Sequence, residues 1–162
     1  MRANTLTICC LTAIAAYGCG NNDVGVDDAD PQLTSLDAIV TLIEDGAYKS
    51  WVKEAAIEDG PGPHGDKLVY FDPLVAQSLA DGNATHPRGS TLVKELYEAN
   101  GDLRGFAIAI KDRDEASRDA WVWYEVFGSD YRDPAFWARG TDSCASCHSS
   151  GVDYVITALP PM

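Results

Sequence analysis

The sequence predicts an α+β domain: a small, mainly antiparallel β-sheet with helices at its N-terminal side and a C-terminal segment organised around a cysteine pair. Two observations carry that class. Residues 91–97, 103–111 and 121–127 are rich in β-branched and aromatic side chains and follow one another through short connections, the first two across Asn100-Gly101, a pair suited to a hairpin turn. Ahead of them Leu36, Ile39, Val40 and Ile43 recur at helical spacing, with Thr34 or Ser35 placed to cap the start and Gly46 to end it.

The chain opens as an address. Arg2 supplies a basic start, residues 6–16 form an apolar run too short for a stable membrane span, and Ala16-Tyr17-Gly18 precedes Cys19. Residues 1–18 are therefore expected to be a signal peptide of the lipoprotein type, with Cys19 acylated as the mature N-terminus, although Tyr17 stands where a small residue is usual. A simple secretory peptide cleaved near Gly18 or Gly20 is the alternative, and it predicts the same periplasmic or cell-surface side. Gly20 stands where an Asp would retain a lipoprotein at the inner membrane, which points to the outer membrane. Residues 19–32 are acidic, carry Gly and Pro and lack apolar periodicity, as a flexible tether does.

The domain is expected over residues 33–162. After the first helix, a short second one should hold Tyr48, Trp51 and Val52; residues 58–66 (EDGPGPHGD) are a Gly/Pro loop; residues 68–71 look like a buried strand stopped by Asp72-Pro73; residues 74–79 make a brief helical turn. Beyond Asp130 regular periodicity fades into an irregular or partly helical segment. A net charge of -13, from 25 acidic and 12 basic residues, leaves no basic patch able to track phosphates, so nucleic acid is excluded as a partner and membrane contact is expected through the lipid anchor only.

Of five cysteines, Cys9 and Cys10 leave with the signal peptide and Cys19 is taken by the lipid, which leaves Cys144 and Cys147 for the fold. Cys144-Ala145-Ser146-Cys147-His148 has the spacing that attaches c-type haem: two thiols add to the two vinyl groups and the adjacent imidazole reaches the iron. A thioredoxin-type redox pair would follow a strand in a βαβ unit, and none precedes this motif. A zinc site wants four ligands, whereas the chain has no second CxxC and only His64 and His86 as further histidines. Electron carriers commonly fill the sixth iron position with Met or His. Here Met162 lies at the C-terminus and the two other histidines lie in loops, so a permanent sixth ligand is poorly supplied, His64 being the alternative, and His148 is expected to be the sole axial metal ligand of an open iron.

Alternation along residues 91–97 puts Lys94 on one strand face with Leu92 and Leu96. That lysine is either functional or sits on a solvent-side face, its stem snorkelling at an edge while Val93 and Tyr97 are buried. On the next strand Gly105, Ala107 and Ala109 share a smooth face that would admit a flat macrocycle or a closely packed helix.

These residues together resemble the cytochrome P-460 and cytochrome c-prime-beta family. The likeness rests on Tyr48 and Trp51, on Val69-Tyr70-Phe71-Asp72-Pro73, on the stretch from Pro87 through Val93-Lys94-Glu95-Leu96, on Trp121-Val122-Trp123-Tyr124, on the CASCH motif, and on Asp153-Tyr154-Val155-Ile156-Thr157. It implies a mostly antiparallel fold holding a pocketed, five-coordinate haem c. In the cytochrome P-460 branch the lysine at the place of Lys94 is covalently joined to the porphyrin and the enzymes oxidise hydroxylamine, passing electrons to an external acceptor. The cytochrome c-prime-beta branch lacks the link and binds nitric oxide or carbon monoxide. Lys94 favours the first branch, but Ala107 stands where active members carry a distal carboxylate, and Glu95 or Glu125 would replace it only by facing the iron. No residue is assigned as catalytic. Non-enzymatic nitric oxide binding and simple electron transfer remain the alternatives.

Overall fold

The computed structural model describes residues 31–60 and 62–160. The expected signal peptide, Cys19, most of the expected tether and Met162 lie outside the described residues. The fold is α+β. Its centre is a six-stranded sheet in which every neighbouring pair is antiparallel and the spatial order follows the chain order. The strands are β1 (Val52–Lys53), β2 (Asp66–Phe71), β3 (Thr91–Tyr97), β4 (Leu103–Lys111), β5 (Trp121–Phe127) and β6 (Phe136–Arg139). The helices are α1 (Pro31–Thr34), α2 (Leu36–Asp45), α3 (Pro73–Ala80) and α4 (Asp142–His148).

The three strands expected at 91–97, 103–111 and 121–127 form with those bounds. Helix α2 also starts and stops as expected: the Ser35 side chain accepts a hydrogen bond from the Ala38 N–H, and Gly46 ends the helix at φ 64°, a left-handed turn that glycine adopts without a Cβ clash. Several other boundaries differ. Helix α1 is tied to the sheet edge through the Trp137 indole N–H, which donates to Thr34 O at 3.1 Å. The second helix is a single 3-10 turn over Ala47–Ser50, so Trp51 and Val52 fall outside it, and Val52 begins β1. The β3–β4 connection is longer than a two-residue hairpin, running over residues 98–102 with Gly101 at φ 86° and a register shift at Leu96/Tyr97. The segment after Asp130 contains both β6 and α4.

Both faces of the sheet are covered. Alternation sends Tyr70, Val93, Phe106, Ile108 and Tyr124 to the α2 side, where they pack with Ile39, Ile43 and Tyr48. The opposite side takes Val69, Phe71, Leu92, Ala109, Trp121 and Trp123, packed with Val75 of α3 and Val155 from the chain after α4. Lys94 and Glu95, neighbours in β3, are consequently both buried, on opposite faces. On the α2 side, Glu95 is satisfied: its carboxylate accepts from the hydroxyls of Tyr48 (2.6 Å), Tyr97 (2.7 Å) and Tyr70 (2.9 Å). Among the described residues, no helix is long and apolar enough to cross a membrane.

Candidate functional site

On the face opposite α2, an open, mainly apolar cavity lies between the sheet and the C-terminal chain. Its floor is one row of the sheet. Lys94 of β3 pairs with Ala107 of β4, and Ala107 pairs with Glu125 of β5. A methyl group between two long side chains leaves room above it, and Lys94 and Glu125 both line the cavity from either side of Ala107. Ala109, Leu92 and Trp123 continue the floor. The small-residue face anticipated at Gly105, Ala107 and Ala109 is thus an open face at Ala107 and Ala109. At Gly105 itself a Cβ would lie 2.0 Å from Val126 O, so that glycine serves strand packing.

Helix α4 forms the other wall. Its backbone starts at Thr141, whose carbonyl accepts from the N–H of Cys144 (3.2 Å) and Ala145 (2.9 Å), and an Arg118–Asp142 ion pair ties its first turn to the chain before β5. Helical spacing puts Cys144, Cys147 and His148 on neighbouring positions of one side, at i, i+3 and i+4. Both thiols are free; Cys144 is half-buried on the cavity wall and Cys147, one turn on, is exposed. Burial pushes the Cys144 thiol up to about 11, with the Glu125 carboxylate adding to the shift and Lys94 opposing it.

His148 is buried, 4.6 Å centroid to centroid from the Trp123 ring. Its Nδ1 lies 2.9 Å from Tyr154 O, and since a carbonyl only accepts, Nδ1 carries the proton and Nε2 keeps its lone pair. Burial, then the nearby Lys94 charge, hold this imidazole down at about 4, so it is neutral at ordinary pH. Among the described residues, Nε2 has no hydrogen-bond partner.

The carbonyl that orients His148 is itself held firmly. Asp153 and Tyr154 sit at φ 45° and 67°, left-handed conformations that cost a non-glycine residue about 1–3 kcal/mol each. The turn is fixed by Asp153, whose Oδ2 lies 2.7 Å from Lys111 Nζ, both side chains being fully buried, and accepts from the His86 N–H at 2.8 Å. Gly151 completes the turn, since a Cβ there would meet Val155 O at 2.2 Å. Lys111 at the end of β4 therefore acts through Asp153 on the placement of Tyr154 O.

Lys94 is buried at 6 % exposure with no hydrogen bond or ion pair among the described residues. Burial, reinforced by the Lys67 charge, pushes its ammonium down to about 8; Glu54, Glu125 and Cys144 oppose the shift. An amine of that basicity is neutral for an appreciable fraction of the time near neutral pH and is then a nucleophile. Glu95 faces the other way among its three tyrosines, so of the two carboxylates considered to replace an acid at position 107, Glu125 reaches the cavity. His64, the alternative the sequence offered for the sixth iron position, is brought to the same cavity: its Nδ1 lies 3.1 Å from Glu125 Oε1. His86 is elsewhere, buried with Nδ1 2.9 Å from Ser78 Oγ.

The donor set suits a haem: two free thiols at helical spacing, one neutral imidazole fixed through Nδ1 with Nε2 unengaged, and a floor of alanines that leaves flat space beside it. A bare metal ion is served less well, since among the described residues no three His, Cys, Asp or Glu side chains cluster to hold one. No family model matches the chain, and no curated protein matches it.

Proposed function

We propose that the chain is an exported monohaem c-type cytochrome of the cytochrome P-460 type, holding haem c through Cys144 and Cys147 with His148 as axial ligand and binding hydroxylamine or nitric oxide from the cavity side. The observation that carries this reading is the convergence of Cys144 and His148 of the CASCH motif with Lys94 and Glu125 on one cavity, where His148 presents an unprotonated Nε2. Bound there, haem would supply an iron that takes small nitrogenous ligands and passes electrons to an external acceptor. The chain's own residues prepare the place: Tyr154 O fixes the His148 tautomer, Ala107 and Ala109 keep the floor flat, and Trp123 packs beside the imidazole.

For hydroxylamine oxidation a proton acceptor is needed, and Glu125, with His64 at 3.1 Å, is the carboxylate at hand on the cavity wall. Lys94, made easier to deprotonate by burial and held at the floor, is the group positioned for a covalent link to the haem edge. The alanine at 107 favours a second reading, a non-enzymatic nitric oxide binding protein of the cytochrome c-prime-beta type in which Lys94 stays free. Export to the periplasmic or cell-surface side with a lipid on Cys19 belongs to the same proposal.

Two measurements test it. Wild-type protein produced with haem-attachment machinery should keep haem on a denaturing gel and the double variant Cys144→Ser/Cys147→Ser should not; haem retained by the double variant would sink the attachment. Peptide mapping should find the peptide bearing Lys94 joined to the one containing Cys144 and His148 through haem. A free Lys94 peptide in the holoprotein would transfer the reading to the nitric oxide binder.

A further inference from the structure

His64 and His148 are held in the same way. Each is tied through Nδ1, His148 to Tyr154 O at 2.9 Å and His64 to Glu125 Oε1 at 3.1 Å. A carboxylate accepts, so the His64 Nδ1 donates, and in the neutral ring its Nε2, like that of His148, is the nitrogen with the lone pair. A carboxylate behind a ligating imidazole is the arrangement that fixes the tautomer and raises the ring's basicity. The backbone carrying His64 is also fixed. Arg104 Nη2 donates to His64 O at 2.9 Å and to Pro63 O at 3.3 Å, while the Arg104 guanidinium lies 5.0 Å from the Phe127 ring centroid.

The separation of the two rings decides what His64 can do. Their centroids are 6.4 Å apart and their planes stand at 78°. Two imidazoles sharing one metal ion through opposed nitrogens have centroids about 6 Å apart, from metal–nitrogen bonds of about 2 Å and the radius of each ring. A second imidazole that instead hydrogen-bonds to a diatomic ligand already on the metal must stand back by that ligand and a contact of about 2.9 Å, which puts the centroids about 9 Å apart or more. The observed centroid separation is that of the first case.

We infer that His64 is the sixth, exchangeable ligand of the iron, opposite His148, so that a small ligand binds by displacing it. This rests on the haem reading above, departs from the five-coordinate iron that the resemblance implies, and names the group that competes with the ligand. The displaced imidazole stays beside Glu125, and only the loop between β1 and β2 has to yield. Exchange also imposes selectivity: a ligand gains access only in proportion to the fraction of iron that His64 leaves free.

The test uses holoprotein with covalent haem. The wild type should show a low-spin, six-coordinate spectrum in the ferric and ferrous forms, with the near-infrared charge-transfer and electron paramagnetic resonance signature of two nitrogen ligands. His64→Ala should keep its covalent haem, turn high-spin, and return to low-spin on adding imidazole. Its ferrous form should bind carbon monoxide at least about tenfold more tightly, as expected when a site that was free a tenth of the time becomes fully free. Covalent haem with a high-spin wild-type spectrum that His64→Ala leaves unchanged would overturn the assignment and leave the haem reading standing. Absence of haem from the denatured wild type would overturn both.

Discussion

Replacing Lys94 by Met in the cofactor-free chain should stabilise the fold, and the gain should disappear at high pH. The ammonium is held at about 8 against an ordinary 10.5, chiefly by burial. A depressed lysine means that the folded state releases its proton near 8 while the unfolded chain keeps it to about 10.5. Below 8 both states carry the proton and the folded state bears the full cost, about 3 kcal/mol. Between 8 and 10.5 the unfolded chain binds more protons, so wild-type stability should rise with pH across that window. Methionine keeps the unbranched stem without the charge, so Lys94→Met should be more stable than wild type by about 2–3 kcal/mol at pH 7 and nearly equal to it above 10.5. The buried Tyr48 and Tyr97 phenols, raised by burial and by Glu95, work in the opposite direction at high pH, but they are present in both proteins and cancel in the difference. Urea unfolding followed by tryptophan fluorescence at pH 7, 9 and 10.5 measures that difference. Stability curves that stay parallel across the window, or a variant less stable at pH 7, would refute the claim that Lys94 is a charge buried without a partner.

Three further outcomes follow from the same structure. Asp153→Ala strands the fully buried Lys111 ammonium and should cost about 3–5 kcal/mol in urea unfolding, whereas adding Lys111→Met to it should recover much of the loss, because an apolar replacement of a buried pair is close to neutral. Tyr48→Phe removes one of the three hydroxyls on the Glu95 carboxylate and should cost about 1.5–3 kcal/mol by the same assay, the range for a hydrogen bond to a charged group. Cys19→Ser should release the exported domain from the membrane detergent phase or leave it unprocessed; unchanged recovery in that phase at mature size would remove the lipid anchor.

The long strands and α2 were legible because their signals are local. Period-two alternation over seven to nine residues marked β3, β4 and β5, and Ser35 and Gly46 marked the ends of α2. Strands β1 and β6, two and four residues long, are too short for periodicity and exist because β2 and β5 offer them edges. The CASCH motif was readable as chemistry, but its surroundings were not. His64 sits in a Gly/Pro loop with no periodic signal, and its partner Glu125 is 61 residues away, so only the folded sheet brings them together. Glu95 was separable in principle: alternation in β3 sets it opposite Lys94, so both residues could not have faced one cavity. The local reading left open whether one face of β3 met solvent, and only the fold settles that α2 covers one side and the C-terminal chain the other.

Lys94 and Glu95 show how the two faces divide their work. A buried charge is tolerated when its hydrogen-bonding capacity is met, and Glu95 meets that condition with three phenol donors drawn from the 3-10 turn, β2 and β3 itself. Those contacts lock the α2 side to the sheet and need nothing from outside the chain. Lys94, one residue earlier, is equally buried and has no such partner, so the fold alone gives no reason to keep it. Next to it in the same row lies Ala107, too small to fill the space, and beyond that Glu125 is engaged with a histidine from a distant loop. A core built for stability would place an apolar side chain at 94 and a larger one at 107. The uncompensated lysine, the undersized alanine and the two imidazoles with unengaged Nε2 atoms are costs concentrated on one face, and a cofactor seated over that row is the occupant that would use each of them.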